Sequence, residues 1–192
     1  EQGANIYRTA DGGVTNAPTS SDLVVRGNAS PRWMLGWNNT ITWRNLSVNI
    51  FFSGALDYDR LNMSRFMTAS MSGASRFITL RDAYYKGWDY VEDKSMAEYA
   101  SVKNTNNKSY ANTTFWLEDA SFLKLKNITI SYMLPRSITR FADIQFSISA
   151  QDLFTITKYS GMDPEVYSGY DGLDYGAYPV PRTFTVGLKL TF

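Results

Sequence analysis

The residues that could do chemistry in this chain are carboxylates, lysines and aromatic rings, because neither histidine nor cysteine occurs. Losing both removes the commonest general base, the commonest transition-metal ligand, thiolate metal sites, redox motifs and disulfides. Asp163, Glu165, Asp171 and Asp174 form an acidic stretch, and calcium binds through several carboxylate and carbonyl oxygens. Their spacing is not that of an EF-hand, and Asp171-Gly172 is an ordinary turn pair, so a structural reading prevails over a metal site. A second cluster, Tyr84, Tyr85, Trp88 and Tyr90, could stack on sugar rings; the competing reading is a loop core or a contact with a partner protein. Tyr167 and Tyr170 are further candidates in a later loop. Lys124, Lys126 and Lys189 sit in alternating runs and read as facing a polar interior or rim, not as a catalytic set. No carboxylate pair stands out as a glycoside-hydrolysing pair, so we expect no enzyme, no cofactor and no metal site.

Alternating strands must position these groups. Phe184, Val186, Leu188, Leu190 and Phe192 occupy every second place over 182–192, against Thr183, Thr185, Gly187, Lys189 and Thr191. A period of two marks a strand whose faces meet different surroundings. The same alternation predicts strands over about 32–43, 46–56, 121–133 and 143–151, with a slip of phase near Asn127 that suggests a bulge. Arg44-Asn45 makes a two-residue hairpin turn. Segments 1–31, 57–119 and 152–181 read as long loops, the second partly helical around Met63, Phe66, Met67 and Met71.

Composition narrows the setting. Net charge is +1 without a basic cluster, which argues against nucleic acid. Aromatic residues make up 15% and mean hydropathy is −0.29, and no stretch approaches the length of a spanning helix. Asn-x-Ser/Thr triplets at Asn28, Asn38, Asn45, Asn62, Asn107, Asn112 and Asn127 read as ordinary Asn- and Thr-rich sequence rather than glycosylation sites. No signal peptide is visible, so an exported protein would have its true N-terminus missing or removed.

Short turns alternating with long loops are the pattern of outer-membrane β-barrels. About 11 residues at roughly 3.3 Å each, tilted about 45°, span roughly 25 Å. On that reading the C-terminus and the turns at Arg44 and 135–142 are periplasmic, and the three long loops are extracellular. Trp43, Tyr132 and Phe192 would then share the inner aromatic girdle, with Trp33 and Phe184 toward the outer one. Five such strands leave two open edges, so we expect the chain to be the C-terminal piece of a larger barrel.

Three ordered motifs carry a family resemblance: Ser121-Phe-Leu-Lys-Leu-Lys-Asn-Ile-Thr-Ile-Ser-Tyr-Met-Leu-Pro135, Gln151-Asp-Leu-Phe-Thr-Ile-Thr-Lys-Tyr-Ser-Gly-Met-Asp-Pro-Glu165, and Tyr178-Pro-Val-Pro-Arg through Phe192. Together with Gly27-Asn28 and Pro31-Arg32 they resemble the SusC/RagA family of TonB-dependent outer-membrane transporters of Bacteroidota, from about residue 22 onward. Asp152 departs from the asparagine that the family pattern has there. The resemblance implies an all-β fold: the C-terminal antiparallel up-and-down strands of a large, 22-stranded transmembrane β-barrel with long, partly helical extracellular loops. It further implies import of oligosaccharides or peptides, a SusD-like surface lipoprotein lid, TonB contacted through regions outside this chain, outer-membrane lipid around the wall, and a dimer of SusC–SusD pairs as one arrangement. Phe192 would be part of the signal for barrel assembly. The alternative from another class is a surface glycan-binding β-sandwich without transport.

Overall fold

The computed structural model describes residues 3–69, 80–101, 103, 110–165 and 172–192. In chain order the elements are β1 (Tyr7–Arg8), β2 (Val14–Thr15), β3 (Trp33–Trp43), β4 (Leu46–Leu56), β5 (Asp59–Asn62), α1 (Met63–Ala69), α2 (Arg81–Tyr85), β6 (Leu117–Asp119), β7 (Phe122–Met133), β8 (Asp143–Thr157), β9 (Leu173–Asp174) and β10 (Thr183–Thr191). They fall into two compact units. One comprises 28–59, 119–167 and 177–192, and the other comprises 1–27, 60–118 and 168–176.

The first unit is built on a five-stranded antiparallel sheet in the order β10-β8-β7-β4-β3. The long strands therefore lie side by side in chain order, as an up-and-down meander does. The registers align side chains across strands into rows. One face carries Ile41, Val48, Ile130, Ile148 and Val186 in a single row, and Trp43, Leu46, Tyr132, Phe146 and Leu188 in another. The opposite face carries Thr40, Asn49, Thr129, Ser149 and Thr185, then Thr42, Ser47, Ser131, Ser147 and Gly187. Alternation in each strand has become one apolar and one polar surface for the whole sheet. The apolar surface is bare: Ile41 is 58%, Ile148 59% and Val186 79% exposed.

The phase slip near Asn127 is resolved by stacked bulges. Phe51 and Phe52 face Asn127 and Leu125, so β7 carries one extra residue, Lys126, against β4. Leu125 and Asn127 in turn face Phe154 and Gln151, so β8 sets two residues, Asp152 and Leu153, against Lys126. Without the extra residue, Leu123 and Leu125 would face opposite to Ile128, Ile130 and Tyr132; with it, all five stay on the apolar face. Asp152 takes φ 51°, the left-handed conformation of the first residue in a G1-type bulge. The bulge also lets β8 run on to Thr157, so the strand predicted to end at 151 is six residues longer and the loop after it is shorter.

At the hairpin between β3 and β4, Arg44 adopts φ 52°. The Asn45 side-chain amide donates to the Met133 carbonyl at 2.7 Å, and the Asn45 backbone carbonyl accepts from the Met133 N–H at 2.8 Å. That side chain is a tie to β7. Gly54 matters sterically: a Cβ there would stand 2.9 Å from the Phe122 carbonyl oxygen, whereas one at Gly36 would meet only the Phe51 ring, at 3.8 Å. Gly54→Val is therefore expected to force β4 from β7 at a cost of about 1–3 kcal/mol. Gly36→Val should be close to neutral, with the midpoint of thermal unfolding in detergent as the readout.

The second unit holds the excursions between strands. Segment 1–31, predicted as a featureless loop, contains the β1–β2 hairpin and a 3-10 turn at Ser20–Asp22. The helical reading around Met63, Phe66 and Met67 holds in α1, whereas the residues just before it, Asp59–Asn62, form β5 because they are taken up in a three-stranded sheet in the order β6-β5-β9. Phe66 packs on Ala69, Ala83, Tyr99 and Trp116 to form the core. Asn62 is 1% exposed, and its amide donates to Glu118. Met71 and Asn107 lie outside the described residues.

Candidate functional site

Two constellations stand out, one in each unit. In the sheet unit, Lys124 lies on the polar face in the row Gly36, Ser53, Lys124, Thr155, and it is 1% exposed. Its ammonium donates to both Asp163 oxygens at 2.9 and 2.7 Å and to Glu165 Oε2 at 2.7 Å, which uses all three of its protons. Lys126 reaches the same Glu165 oxygen at 2.8 Å. Its distance to Asp152 Oδ1 is 3.3 Å, near enough for charge attraction though without hydrogen-bond geometry. Pro164, between the two carboxylates, is buried, and its carbonyl accepts from the Tyr58 hydroxyl at 2.9 Å. A lysine removed from water this completely is tolerable because its partners are ionised and its protons are satisfied.

The lysines read from sequence as polar-interior residues do lie on the polar face, but Lys124 is a buried ion-pair centre there. The same contacts engage Asp163 and Glu165, the carboxylates considered for calcium. Asp174 accepts from the Gly176 N–H at 2.8 Å, and Asp171 lies outside the described residues. Among the described residues no cluster of three acidic side chains suited to a metal ion is found.

The Glu165 carboxyl titrates below its ordinary value. Burial alone would raise it, but Lys124 and Lys126 outweigh that effect. A depressed folded-state value means that the contribution to stability is complete above the ordinary glutamate value of 4.5 and is lost as pH falls through the lower folded value. The 158–165 loop is thus expected to stay closed at neutral pH and to loosen below that window. Hydrogen exchange of the 158–165 amides, corrected for the intrinsic pH dependence of exchange, checks this: equal protection above and below that window would contradict it.

In the second unit, a cleft of about 380 Å³ opens between the 3–8 segment, the 97–100 segment and Thr113–Trp116. Gly3 (φ 72°) closes one end: a Cβ there would lie 2.6 Å from the Trp88 ring. Arg65 braces the aromatic wall from behind. Its guanidinium donates to Glu118 at 3.0 Å and to the Tyr99 hydroxyl at 3.1 Å, and it lies 5.2 Å from the Phe115 ring centroid. Burial opposes that charge, but Tyr99 and Glu118 more than offset the effect, so Arg65 holds its proton more tightly than usual.

Of the aromatic run singled out in the sequence, only Trp88 lines the cleft. Tyr84 and Tyr90 lie tilted against each other with ring centroids 3.9 Å apart, and Tyr85 stands edge-on to Tyr84; all three rings remain exposed, outside the cleft. Sequence reasoning missed Tyr7, Tyr99, Phe115 and Trp116, which are dispersed along the chain and meet only in the fold. Tyr167 and Tyr170 lie outside the described residues. On the sheet, Trp43 and Tyr132 share one row, and Trp33 pairs with Leu56. Phe184 pairs with Ala150, in the row of Asn39 and Ile50, while Phe192 lies beyond the end of β10. Phe192 and Tyr132 are therefore not level along the hydrogen bonds. Tilted strands of a barrel are staggered in this way.

A meandering sheet with one apolar, uncovered face and one Ser/Thr/Asn-rich face has the make-up of the wall of an outer-membrane β-barrel. No family model matches the chain. It is 27% identical to TonB-dependent receptor P3 of Formosa agariphila over 204 residues, covering 100% of this chain and 19% of that protein. It is 29% identical to TonB-dependent receptor SusC of Bacteroides thetaiotaomicron over 129 residues, 56% of this chain and 12% of that protein. The RagAB peptide importer in its closed-closed state matches with a TM-score of 0.80 at 23% identity, over 100% of this chain and 21% of the matched chain. Its open-open state matches with a TM-score of 0.81 at 22% identity. The chain is similar in sequence to TonB-dependent receptors, SusC among them, and has the fold of part of the chain matched in the RagAB structures, consistent with a C-terminal part. It spans about a fifth of the length of the curated relative that it matches in full.

Proposed function

We propose that this chain supplies wall and loops to a TonB-dependent nutrient importer of the outer membrane. The observation that carries the reading is the segregation of the sheet's register rows into an apolar face and a polar face across all five strands. On this reading the apolar face meets lipid and the polar face meets the lumen. Trp33, Trp43, Tyr132 and Phe184 would serve the membrane girdles, and the C-terminus would be periplasmic. The whole receptor would import an oligosaccharide or a peptide under a SusD-like lipoprotein lid, with TonB engaged by regions outside this chain. A dimer of such pairs is the expected assembly. A glycan-binding sandwich fits less well, because a sandwich buries its apolar face under a second sheet, and here Ile41, Ile148 and Val186 stand open.

The test is the full receptor expressed in its host. An outer-membrane location, migration in detergent gels that shifts on heating, and co-purification of a surface lipoprotein are expected. Recovery in the soluble fraction would overturn the reading. Uptake assays with labelled oligosaccharides and labelled oligopeptides then decide the substrate class. Phe192 belongs to the same proposal as an assembly signal: its deletion is expected to lower the amount of assembled receptor more than the uptake per assembled molecule.

A further inference from the structure

We propose that residues 158–165 form an inward-folded loop that narrows the import passage, held against the lumen wall by Lys124. This rests on the reading of the polar face as lumen. A loop leaving a barrel strand toward the outside continues past the strand's end. This one turns back. β8 ends at Thr157, yet Asp163 and Glu165 grip Lys124, whose row partner on β8 is Thr155. The chain has thus turned back over the polar face at the end of its own strand instead of continuing past it.

Two further attachments lie on the same face. Tyr159, 5% exposed, packs in one buried cluster with Ala55 and Phe122, which pair with each other two rows from Lys124 on the same face, level with Thr157. The buried Pro164 is held through its carbonyl by Tyr58. Between the anchors at 159, 164 and the 163/165 pair, Met162 is 74% exposed and faces away from the wall. In a water-filled lumen Lys124 would be hydrated at no cost, so its near-complete burial measures how tightly the loop covers it. Met162 then offers an adaptable apolar contact to whatever passes.

The experiment uses the full receptor, otherwise free of cysteine, carrying Met162→Cys. It is treated on intact cells with a small membrane-impermeant maleimide and with a polyethylene-glycol maleimide too wide for the lumen. Labelling by the small reagent and its loss with the wide one are expected. Adding Lys124→Met with Lys126→Met should release the loop and restore labelling by the wide reagent. Should that double variant fail to assemble, Glu165→Gln, which leaves the Asp163–Lys124 pair in place, is expected to give a partial gain. Equal labelling by both reagents in the latched receptor would overturn the inference, and so would labelling that the unlatching substitutions leave unchanged. Heat-modifiable migration of the same samples separates this failure from failure of the barrel reading itself.

Discussion

Lys124→Met is expected to cost about 3–5 kcal/mol, the largest effect of any single substitution considered, because removing one partner of a buried ion pair strands the other. Asp163, with a side chain 8% exposed, has Lys124 as its ammonium partner, and both of its oxygens accept from that group. Glu165 fares better, since it keeps Lys126 and is 31% exposed. The cost should therefore concentrate on Asp163. Lys124→Met with Asp163→Asn is expected to recover much of the loss, since an amide needs no counter-charge. The midpoint of heat-induced migration change in detergent is the measurement. If Lys124→Met melts with the parent, the cluster is solvated in the assembled protein and the ion pair contributes little.

Ile130→Arg is expected to reduce the yield of assembled receptor, at a cost below the about 2–4 kcal/mol of an arginine at the bilayer midplane, because Ile130 is the same-face neighbour of the proposed girdle residue Tyr132. Ile130 lies in the middle of the apolar row that runs from Ile41 to Val186, so an arginine there would be surrounded by apolar side chains on both neighbouring strands. Ser131→Arg places the same charge one residue further on, on the polar face beside Ser47 and Ser147, and should be tolerated. The contrast tests the facing of the sheet. If both variants assemble equally, lipid does not cover the apolar face.

Much of the sheet could be read from local pattern, because a strand's two faces are written in alternating residues and need no distant information. The turn at Arg44-Asn45 and the long strands on either side of it were readable for that reason. The end of β8 was not. Asp152 and Leu153 break the alternation, and only pairing with Lys126 across the bulge shows that the strand continues to Thr157. Short elements such as β5 and β9 escaped because a strand of two to four residues is stabilised by its neighbours in the sheet and leaves almost no periodic trace.

The candidate sites divide in the same way. The sequence by itself determined that the chain offers carboxylates, lysines and aromatic rings without histidine or cysteine, and that its long strands have one apolar and one polar face. Only the tertiary structure decided which charges meet. Lys124 and Asp163 are 39 residues apart, and no local rule links them; their pairing follows from the loop folding back over the polar face, where desolvation demands a counter-ion. The same is true of the cleft, whose rings at 7, 88, 99, 115 and 116 come together only in the fold, with Arg65 holding those at 99, 115 and 116, while of the contiguous run at 84–90 only Trp88 reaches it. Alternation is a property of neighbouring residues, and burial of charge is a property of the whole fold.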